Sequence, residues 1–376
     1  MNYKSLIFYL FCLLTLTSLA SCQNSETEAK ALKVGVYSGQ GASATCILET
    51  LEALKIDPSI EGSKLSPTDI MNGALQQLDV IIFPGGSGSK EYLSMGAVVQ
   101  EQVRDFVLEQ GKGVVGICAG AFLLSTTEGY PSLKLSTAKV TDRPHYNRGR
   151  GLVELSMSEA SKAIFPELGA DNVFIQYYDG PLLVPSDSLM TYTEMARYVT
   201  DIRNRASIPE GISPGKTFIL NEEVGQGRLF LIAGHPESTP GMRWMVPRMA
   251  RWVARKDLPA YAEKWIKPEI NDSAIVFVSE LSAYEKSQFW LLCDGRPQEK
   301  IEAMSKLYDI RSRPAVRWNM GLLRDSSPEV RAYAADLLMR CEYTDAIDEL
   351  KSALAFEENA QTKEKITEAI DFLSHF

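Results

Sequence analysis

The chain has few histidines and no excess of positive charge, and both shortages limit its chemistry. Its 376 residues include 3 histidines, which are His145, His235 and His375. A zinc site with three histidine ligands from one domain is therefore not expected. Acidic residues number 48 and basic residues 39, which gives a formal charge of −9. Nucleic-acid binding needs a basic surface, so we predict no nucleic-acid partner, and we predict no metal and no cofactor.

Cysteine is also scarce, and no two cysteines have the CxxC spacing. The chain has 6 cysteines, at positions Cys12, Cys22, Cys46, Cys118, Cys293 and Cys341. This pattern excludes a disulfide-dense scaffold and argues against a zinc site. A disulfide between Cys293 and Cys341 stays open. The hydrophobic fraction of 45% is ordinary for a globular protein with a large core, and the length suggests two domains.

The N-terminal segment has the pattern of a bacterial export signal. Lys4 supplies a positive charge, and Leu6–Leu16 is an apolar stretch too short for an ordinary membrane-spanning helix. Leu19-Ala20-Ser21-Cys22 resembles a lipoprotein cleavage site, in which the cysteine receives the lipid. We predict a signal peptide at 1–21 and a tether at 22–31, with the protein anchored by lipid in the cell envelope, facing the periplasm or the exterior. A plain secretory signal is the alternative.

Two regions follow, and they differ in composition. Residues 32–256 alternate between apolar runs and helical patterns, which predicts an α/β domain with a parallel sheet and helices on both faces. Residues 257–270 form a predicted linker. Residues 271–376 contain almost no glycine and predict a smaller all-α domain. Pro314-Ala315-Val316-Arg317 and Pro328-Glu329-Val330-Arg331 resemble each other and suggest degenerate HEAT-type repeats. A plain helical bundle is the alternative, and either could present a surface to a protein partner.

Gly116-Ile117-Cys118-Ala119-Gly120 lies between a predicted strand and a predicted helix. A nucleophile elbow has this order, with small residues where the turn is tight. The N-terminus of a helix also favours a thiolate over a thiol. The alternative is a buried structural cysteine in a glycine-rich turn.

Two further loops follow apolar runs. Gly234-His235-Pro236-Glu237 places a carboxylate two residues after a histidine, as in a general base with its orienting partner. Pro84-Gly85-Gly86-Ser87-Gly88 could offer backbone N–H groups to an oxyanion, although a merely tight turn is the alternative. The second loop lacks the lysine of a P-loop, so it is not typical of nucleotide binding.

In this order the three motifs resemble the class I glutamine amidotransferase superfamily. The resemblance implies a flavodoxin-like domain with Cys118 as nucleophile, His235 as base and Glu237 as its orienting partner. It also implies an oxyanion hole formed by Gly85, Gly86 and the N–H of Ala119. Within the superfamily, the chain resembles most the amidotransferase-like N-terminal domain of biotin–protein ligases. The segments that carry this likeness are Val36–Ser43, Phe83–Gly86, Gly116–Ala121, Tyr177–Gly180 and Gly234–Glu237. They suggest Gly41, Tyr178 and Asp179 as pocket residues.

The sequence departs from that pattern where catalysis is concerned. No ligase domain follows, and Cys118 precedes Ala119-Gly120-Ala121 rather than the Leu-Gly and Gln of true glutaminases. We therefore expect a thiol hydrolase that acts on an amide or related acyl bond of a small-molecule or peptide-like substrate. The first alternative is a catalytically silent ligand-binding or scaffold lipoprotein. The second is a member of the related deglycase and intracellular-protease branch. Cys46 is interpreted as a core residue.

Overall fold

The computed structural model describes residues 31–169, 172–187 and 191–375. The predicted signal peptide, Cys22 and the tether up to residue 30 lie outside the described residues. From Leu32 onward the chain forms one compact unit. Within the described ranges, no helix has both the length and the apolar character that crossing a membrane requires.

The centre of the fold is a mixed sheet, which has twelve strands in the described part of the chain. Its order is β12-β6-β9-β10-β11-β4-β3-β1-β2, with β7 beside β6, β8 beside β10 and β5 beside β8. The strands are β1 (Leu32–Tyr37), β2 (Ile60–Leu65), β3 (Val80–Phe83), β4 (Gly113–Ile117), β5 (Ala138–Thr141), β6 (Arg150–Met157), β7 (Val173–Tyr178), β8 (Leu182–Pro185), β9 (Thr193–Tyr198), β10 (Thr217–Val224), β11 (Gly227–Ile232) and β12 (Ile275–Val276).

Five neighbouring strands, β2, β1, β3, β4 and β11, run parallel. Every residue of β3 and β4 is buried, as expected for strands covered on both faces. Side chains along β3 alternate between two cores. Val80 and Ile82 belong to one core, and Ile81 and Phe83 belong to the other. The parallel α/β arrangement predicted from the alternating pattern is thereby confirmed.

Helices cover both faces of this sheet. They are α1 (Ala44–Leu54), α2 (Pro67–Met71), α3 (Gly88–Leu108), α4 (Ala119–Leu124) and α5 (Met245–Val253). The antiparallel strands β6, β9 and β10 extend the sheet beyond β11. Strands β10 and β11 form a hairpin that is joined through Gly225 and Gln226.

The C-terminal region is helical, as predicted, and has its own core. Its helices are α6 (Ser279–Asp294), α7 (Pro297–Asp309), α8 (Ala315–Leu322), α9 (Pro328–Arg340), α10 (Ile347–Phe356) and α11 (Ala360–Ser374). Their buried side chains, among them Leu307, Val330, Leu338 and Ile366, form a cluster separate from the two sheet cores. The HEAT-type repeat and the domain limits at 256 and 271 stay predictions.

The helical region is joined to the sheet region by buried polar contacts. Glu342, which follows α9, accepts a hydrogen bond from the N–H of Gly241 at 3.0 Å. Glu285 on α6 forms an ion pair with Arg150 at the start of β6. These contacts attach the helices at the edge of the sheet where the site described next is found.

Candidate active site

Four predicted site loops meet at the carboxyl edge of the parallel sheet. They follow β1, β3, β4 and β11, and open α/β sheets bind ligands at this edge. Two isolated bridges connect the loops to their neighbours, one between Ala42 and Gly86 and one between Gln176 and His235. The N–H of Ser43 also donates to the carbonyl of Gly85 at 2.9 Å. Backbone hydrogen bonds therefore hold the loops against one another.

Cys118 lies in a tight turn between β4 and α4. Its φ is 52° and its ψ is −100°, a strained conformation for a residue with a side chain. Gly120 makes the turn possible, because a Cβ there would lie 2.1 Å from the carbonyl oxygen of Phe83. The Sγ of Cys118 is directed at the carbonyl oxygen of Tyr178, 3.4 Å away. The local geometry is that of a nucleophile elbow.

His235 and Glu237 form a buried pair opposite this thiol. The Nδ1 of His235 lies 2.7 Å from the Oε1 of Glu237, and both side chains are at least 96% buried. A carboxylate can only accept, so Nδ1 carries a proton and Nε2 is left for the thiol. Burial disfavours the imidazolium, yet Cys118, which also hydrogen-bonds to the ring, and the Glu237 carboxylate raise the pKa of His235 well above its ordinary value. His235 can thus hold a proton in the resting site and release it during a reaction, with Glu237 orienting the ring.

A second thiol, that of Cys46, lies beside the same imidazole. Cys46 is on α1, and its Sγ lies within 4.8 Å of ligand atoms of His235 and Glu237. Burial opposes ionisation of this thiol, but a hydrogen bond with His235 and the nearby Arg313 guanidinium lower its pKa. These three side chains are also the set that could hold a metal ion in the described part of the chain. The interpretation of Cys46 as a core residue agrees with its burial but missed its place at the site. The missed signal is its position in the chain, because Cys46 comes just after the loop that follows β1.

The other predicted site residues fall into two groups. Gly86 and Tyr178 line the cavity above Cys118, while Gly85 packs against His235, where a Cβ would lie 2.6 Å from the ring Cε1. Ala119 is buried at the start of α4. By contrast, Gly41 accepts a hydrogen bond from the N–H of Ser87, and Asp179 accepts one from the N–H of Gly149. These last two residues support the loops, and neither is among the residues that line the cavity.

The cavity has a volume of about 630 Å³ and has walls from both regions of the chain. Cys118, Cys46 and His235 line one side. The segment between α7 and α8 and the start of α8 line the other, with Arg311, Arg313, Pro314, Val316, Arg317 and Trp318. Arg313 forms an ion pair with Glu49 and approaches the Sγ of Cys46 to 3.7 Å. The sequence analysis missed this wall, because no local pattern shows that a loop more than 190 residues after Cys118 returns to the site.

Cys293, Cys341 and His145 are not among the residues that line the cavity. Cys293 and Cys341 are free thiols, so the disulfide left open by the sequence is not formed. Burial raises the pKa of the Cys341 thiol to about 12. The Nδ1 of His145 lies 2.6 Å from the Oδ1 of Asp142 in a surface loop.

Part of the α/β region is similar to known proteins. Residues 36–157 match the sequence model of the DJ-1/PfpI family. The chain is 26% identical over 176 residues to the phosphoribosylformylglycinamidine synthase subunit PurQ of Dehalococcoides mccartyi, covering 43% of this chain and 68% of that protein.

Among solved structures, a thua-like protein from Parabacteroides merdae is 11% identical with a TM-score of 0.43, covering 63% of this chain and 99% of that one. A thua-like protein from Bacteroides uniformis is 16% identical with a TM-score of 0.42, covering 61% and 94%. The matched residues 36–157 lie in the α/β region and include the elbow cysteine, so this part of the chain is similar to the DJ-1/PfpI family.

Proposed function

We propose that the protein is a thiol hydrolase that cleaves an amide or related acyl bond. The observation that carries the proposal is the buried His235–Glu237 pair beside the strained elbow of Cys118. A nucleophile, a base and a carboxylate that orients the base are the groups that acyl transfer requires. The matched family includes cysteine-based hydrolase-like and amidotransferase-like members, which supports the same chemistry.

In the proposed reaction the Cys118 thiolate attacks the acyl carbon and forms a tetrahedral oxyanion. His235, protonated at Nε2, gives that proton to the leaving amine as the carbon–nitrogen bond breaks. Water then loses a proton to His235, attacks the thioester and restores the thiolate. The net change is the addition of water across the amide, which yields a carboxylic acid and an amine. The loop of Gly85 and Gly86 and the N–H of Ala119 are the proposed donors to the oxyanion.

The proposal predicts an acyl-enzyme on one defined cysteine. A phenyl ester such as p-nitrophenyl acetate should acetylate Cys118 rapidly, and intact-mass and peptide mass spectrometry should find one acetyl group there. Cys118→Ala should abolish the burst of p-nitrophenol. Cys46→Ala is the matched control, since it removes the neighbouring buried thiol and leaves the elbow in place.

Two results would contradict this assignment. If the burst survives in Cys118→Ala and is lost in Cys46→Ala, the nucleophile is Cys46. If neither thiol is acetylated faster than the exposed Cys293, the site is a ligand-binding relic, which is the alternative function raised by the sequence.

We also propose that the domain is closer to the biotin–protein ligase type than to glutaminases, which rests on the motifs quoted above. A direct test is glutaminase activity. Ammonia release from glutamine that depends on Cys118 would contradict the expectation that glutamine is not the substrate.

Export and lipid anchoring at Cys22 are proposed from the N-terminal pattern alone. Mass spectrometry of the mature protein should find Cys22 as a lipidated first residue, and Cys22→Ala should leave the protein unprocessed or release it from membranes. An unmodified Cys22 in the mature wild-type protein would refute this proposal.

A further inference from the structure

We propose that the helical region forms an anion-binding wall of the active site and that the substrate carries a carboxylate or phosphate group. This inference rests on the proposed function, because it assigns the substrate class of the same cavity. Its basis is the charge of the residues that line the cavity and the region of the chain that supplies them.

The cavity is positively charged although the whole protein is acidic. Four arginines, Arg150, Arg311, Arg313 and Arg317, line it, and the one carboxylate among its lining residues is that of Glu49. The formal charge of the chain is −9, so this concentration of arginine is opposite to the general surface. A cleft lined by one sign of charge attracts ligands of the opposite sign.

Two of the four arginines are neutralised by protein carboxylates. Arg150 forms an ion pair with Glu285, and Arg313 forms one with Glu49. These two ion pairs fix the wall in place and add little net charge to the cavity.

The other two, Arg311 and Arg317, have neutral hydrogen-bond partners. Arg311 donates to the side-chain oxygen of Asn271 at 3.0 Å and to the carbonyl of Ile270 at 2.9 Å, which are neutral acceptors. Arg317 is exposed and hydrogen-bonds to Tyr343. Within the described ranges, neither has a carboxylate within ion-pair distance. Two of the arginines that line the cavity thus have no carboxylate partner in the described part of the chain.

The guanidinium fork suits a planar or tetrahedral oxyanion. A cavity of about 630 Å³ has room for a small molecule whose acyl carbon reaches Cys118 while a charged end meets the helical wall. The ring of Trp318, 44% exposed, lines the same wall and offers an apolar face. The structure therefore favours an amide whose other end is anionic over a neutral or cationic one.

The first test compares two alkylating reagents that differ in charge. Rates of alkylation by iodoacetate and by iodoacetamide are measured for each cysteine by peptide mass spectrometry on the full chain. The exposed Cys293 supplies the internal reference ratio. We expect the iodoacetate-to-iodoacetamide ratio at Cys118 to exceed that reference, and Arg317→Gln to lower it roughly three- to tenfold. Arg324→Gln, a surface change on the same region, is the matched control and should leave the ratio unchanged.

The second test does not depend on thiol reactivity. In the Cys118→Ala protein, glutarate should raise the melting temperature more than glutaramide, its neutral counterpart, and Arg317→Gln should remove that difference. Inorganic phosphate in the same assay distinguishes a phosphate site from a carboxylate site.

The outcomes separate the two proposals. If Cys118 shows the reference ratio and no anion stabilises the protein more than glutaramide, the anion-binding wall is refuted and the hydrolase proposal stands. If Cys118 reacts with neither reagent while an anion stabilises the Cys118→Ala protein, the hydrolase proposal fails and the anion site is supported.

Discussion

The His235 imidazole has two thiols nearby in addition to the Glu237 carboxylate. Nδ1 donates to Glu237, while Cys118 and Cys46 both interact with the ring. Arg313 is near Cys46 and Glu49, so it stabilises negative charge on that side of the ring. Both thiols line the cavity, and of the two it is Cys118 that lies on the strained elbow.

Glu237→Gln should lower the pKa of His235, because it removes a negative charge that stabilises the buried imidazolium. The acetylation rate of Cys118 should fall by roughly 10²–10⁴, the usual contribution of a positioned base. With three histidines in the chain, the ring-proton NMR titration of His235 can be assigned from a His235→Gln spectrum. An unchanged titration in Glu237→Gln would show that Glu237 does not act through His235.

Glu91, in the first turn of α3, is a buried carboxyl whose two oxygens have no hydrogen-bond partner in the described part of the chain. Burial raises its pKa to about 8. Because the folded state binds this proton more tightly than the unfolded state, the wild-type protein should lose stability as the pH rises from about 4.5 to about 8. The loss has an upper limit of about 5 kcal/mol.

Glu91→Gln should remove that part of the pH dependence. Relative to the wild type, its free energy of unfolding should increase from pH 5 to pH 8, as measured by urea denaturation at several pH values. Glu101→Gln, an exposed change on the same helix, is the control. If the free energy of unfolding changes with pH in the same way in the wild type and in Glu91→Gln, the raised pKa of Glu91 is contradicted.

At the scale of elements, the junction of β4 and α4 leaves no space for added side chains. A Cβ at Gly120 would lie 2.1 Å from the Phe83 carbonyl, and one at Gly116 would lie 2.7 Å from the backbone of Gly120. The strand and the helix approach so closely because neither position carries a side chain. The orientation of Cys118 depends on this approach.

Gly120→Ala should therefore destabilise the protein by about 2 kcal/mol or more and slow acetylation of Cys118. Gly321→Ala is the matched control, since Gly321 lies in α8, where a Cβ would meet nothing within 4 Å. That control should be neutral or stabilising by up to about 1 kcal/mol, because alanine favours a helix. Thermal denaturation and the p-nitrophenol burst measure both effects. Equal stability of the two variants would contradict the close packing of the elbow.

At the scale of the whole molecule, the site depends on two regions that are distant in sequence. The α/β region supplies the thiols and the His235–Glu237 pair, and the helical region supplies the opposite wall. The N–H of Gly241 and the side chain of Arg243 both bond to Glu342. Buried polar contacts of this kind are costly to open, so the helices form a lasting part of the cavity.

A chain of residues 32–256 should fold, because the sheet region has two large cores of its own. It should be less stable than the full protein, and iodoacetamide should reach its Cys118 faster because one wall is missing. Urea denaturation and alkylation rates test both points. A soluble, cooperative fragment with an unchanged alkylation rate would show that the helical region does not cover the thiol.

Much of the fold could be predicted from the sequence, because the strong signals are local. The apolar runs that became β1, β3, β4 and β11 are each followed by a glycine-rich or histidine loop. Parallel strands place such loops at one edge, so proximity of Cys118 and His235 was expected. The match to the DJ-1/PfpI family supports a likeness at the level of the superfamily. The finer likeness to biotin–protein ligases stays a prediction.

The sequence by itself determined the alternation of strands and helices, the elbow and the His235–Glu237 spacing. Each of these depends on residues that are close together in the chain. Tertiary structure decided the rest. It placed Cys46 beside His235, because α1 begins at the carboxyl edge of β1. It also brought Arg311, Arg313 and Arg317 over the cavity, because the helical region packs on the sheet through Glu285 and Glu342. Such contacts join residues more than 100 positions apart, and no local pattern of side chains records which distant loop will complete a site.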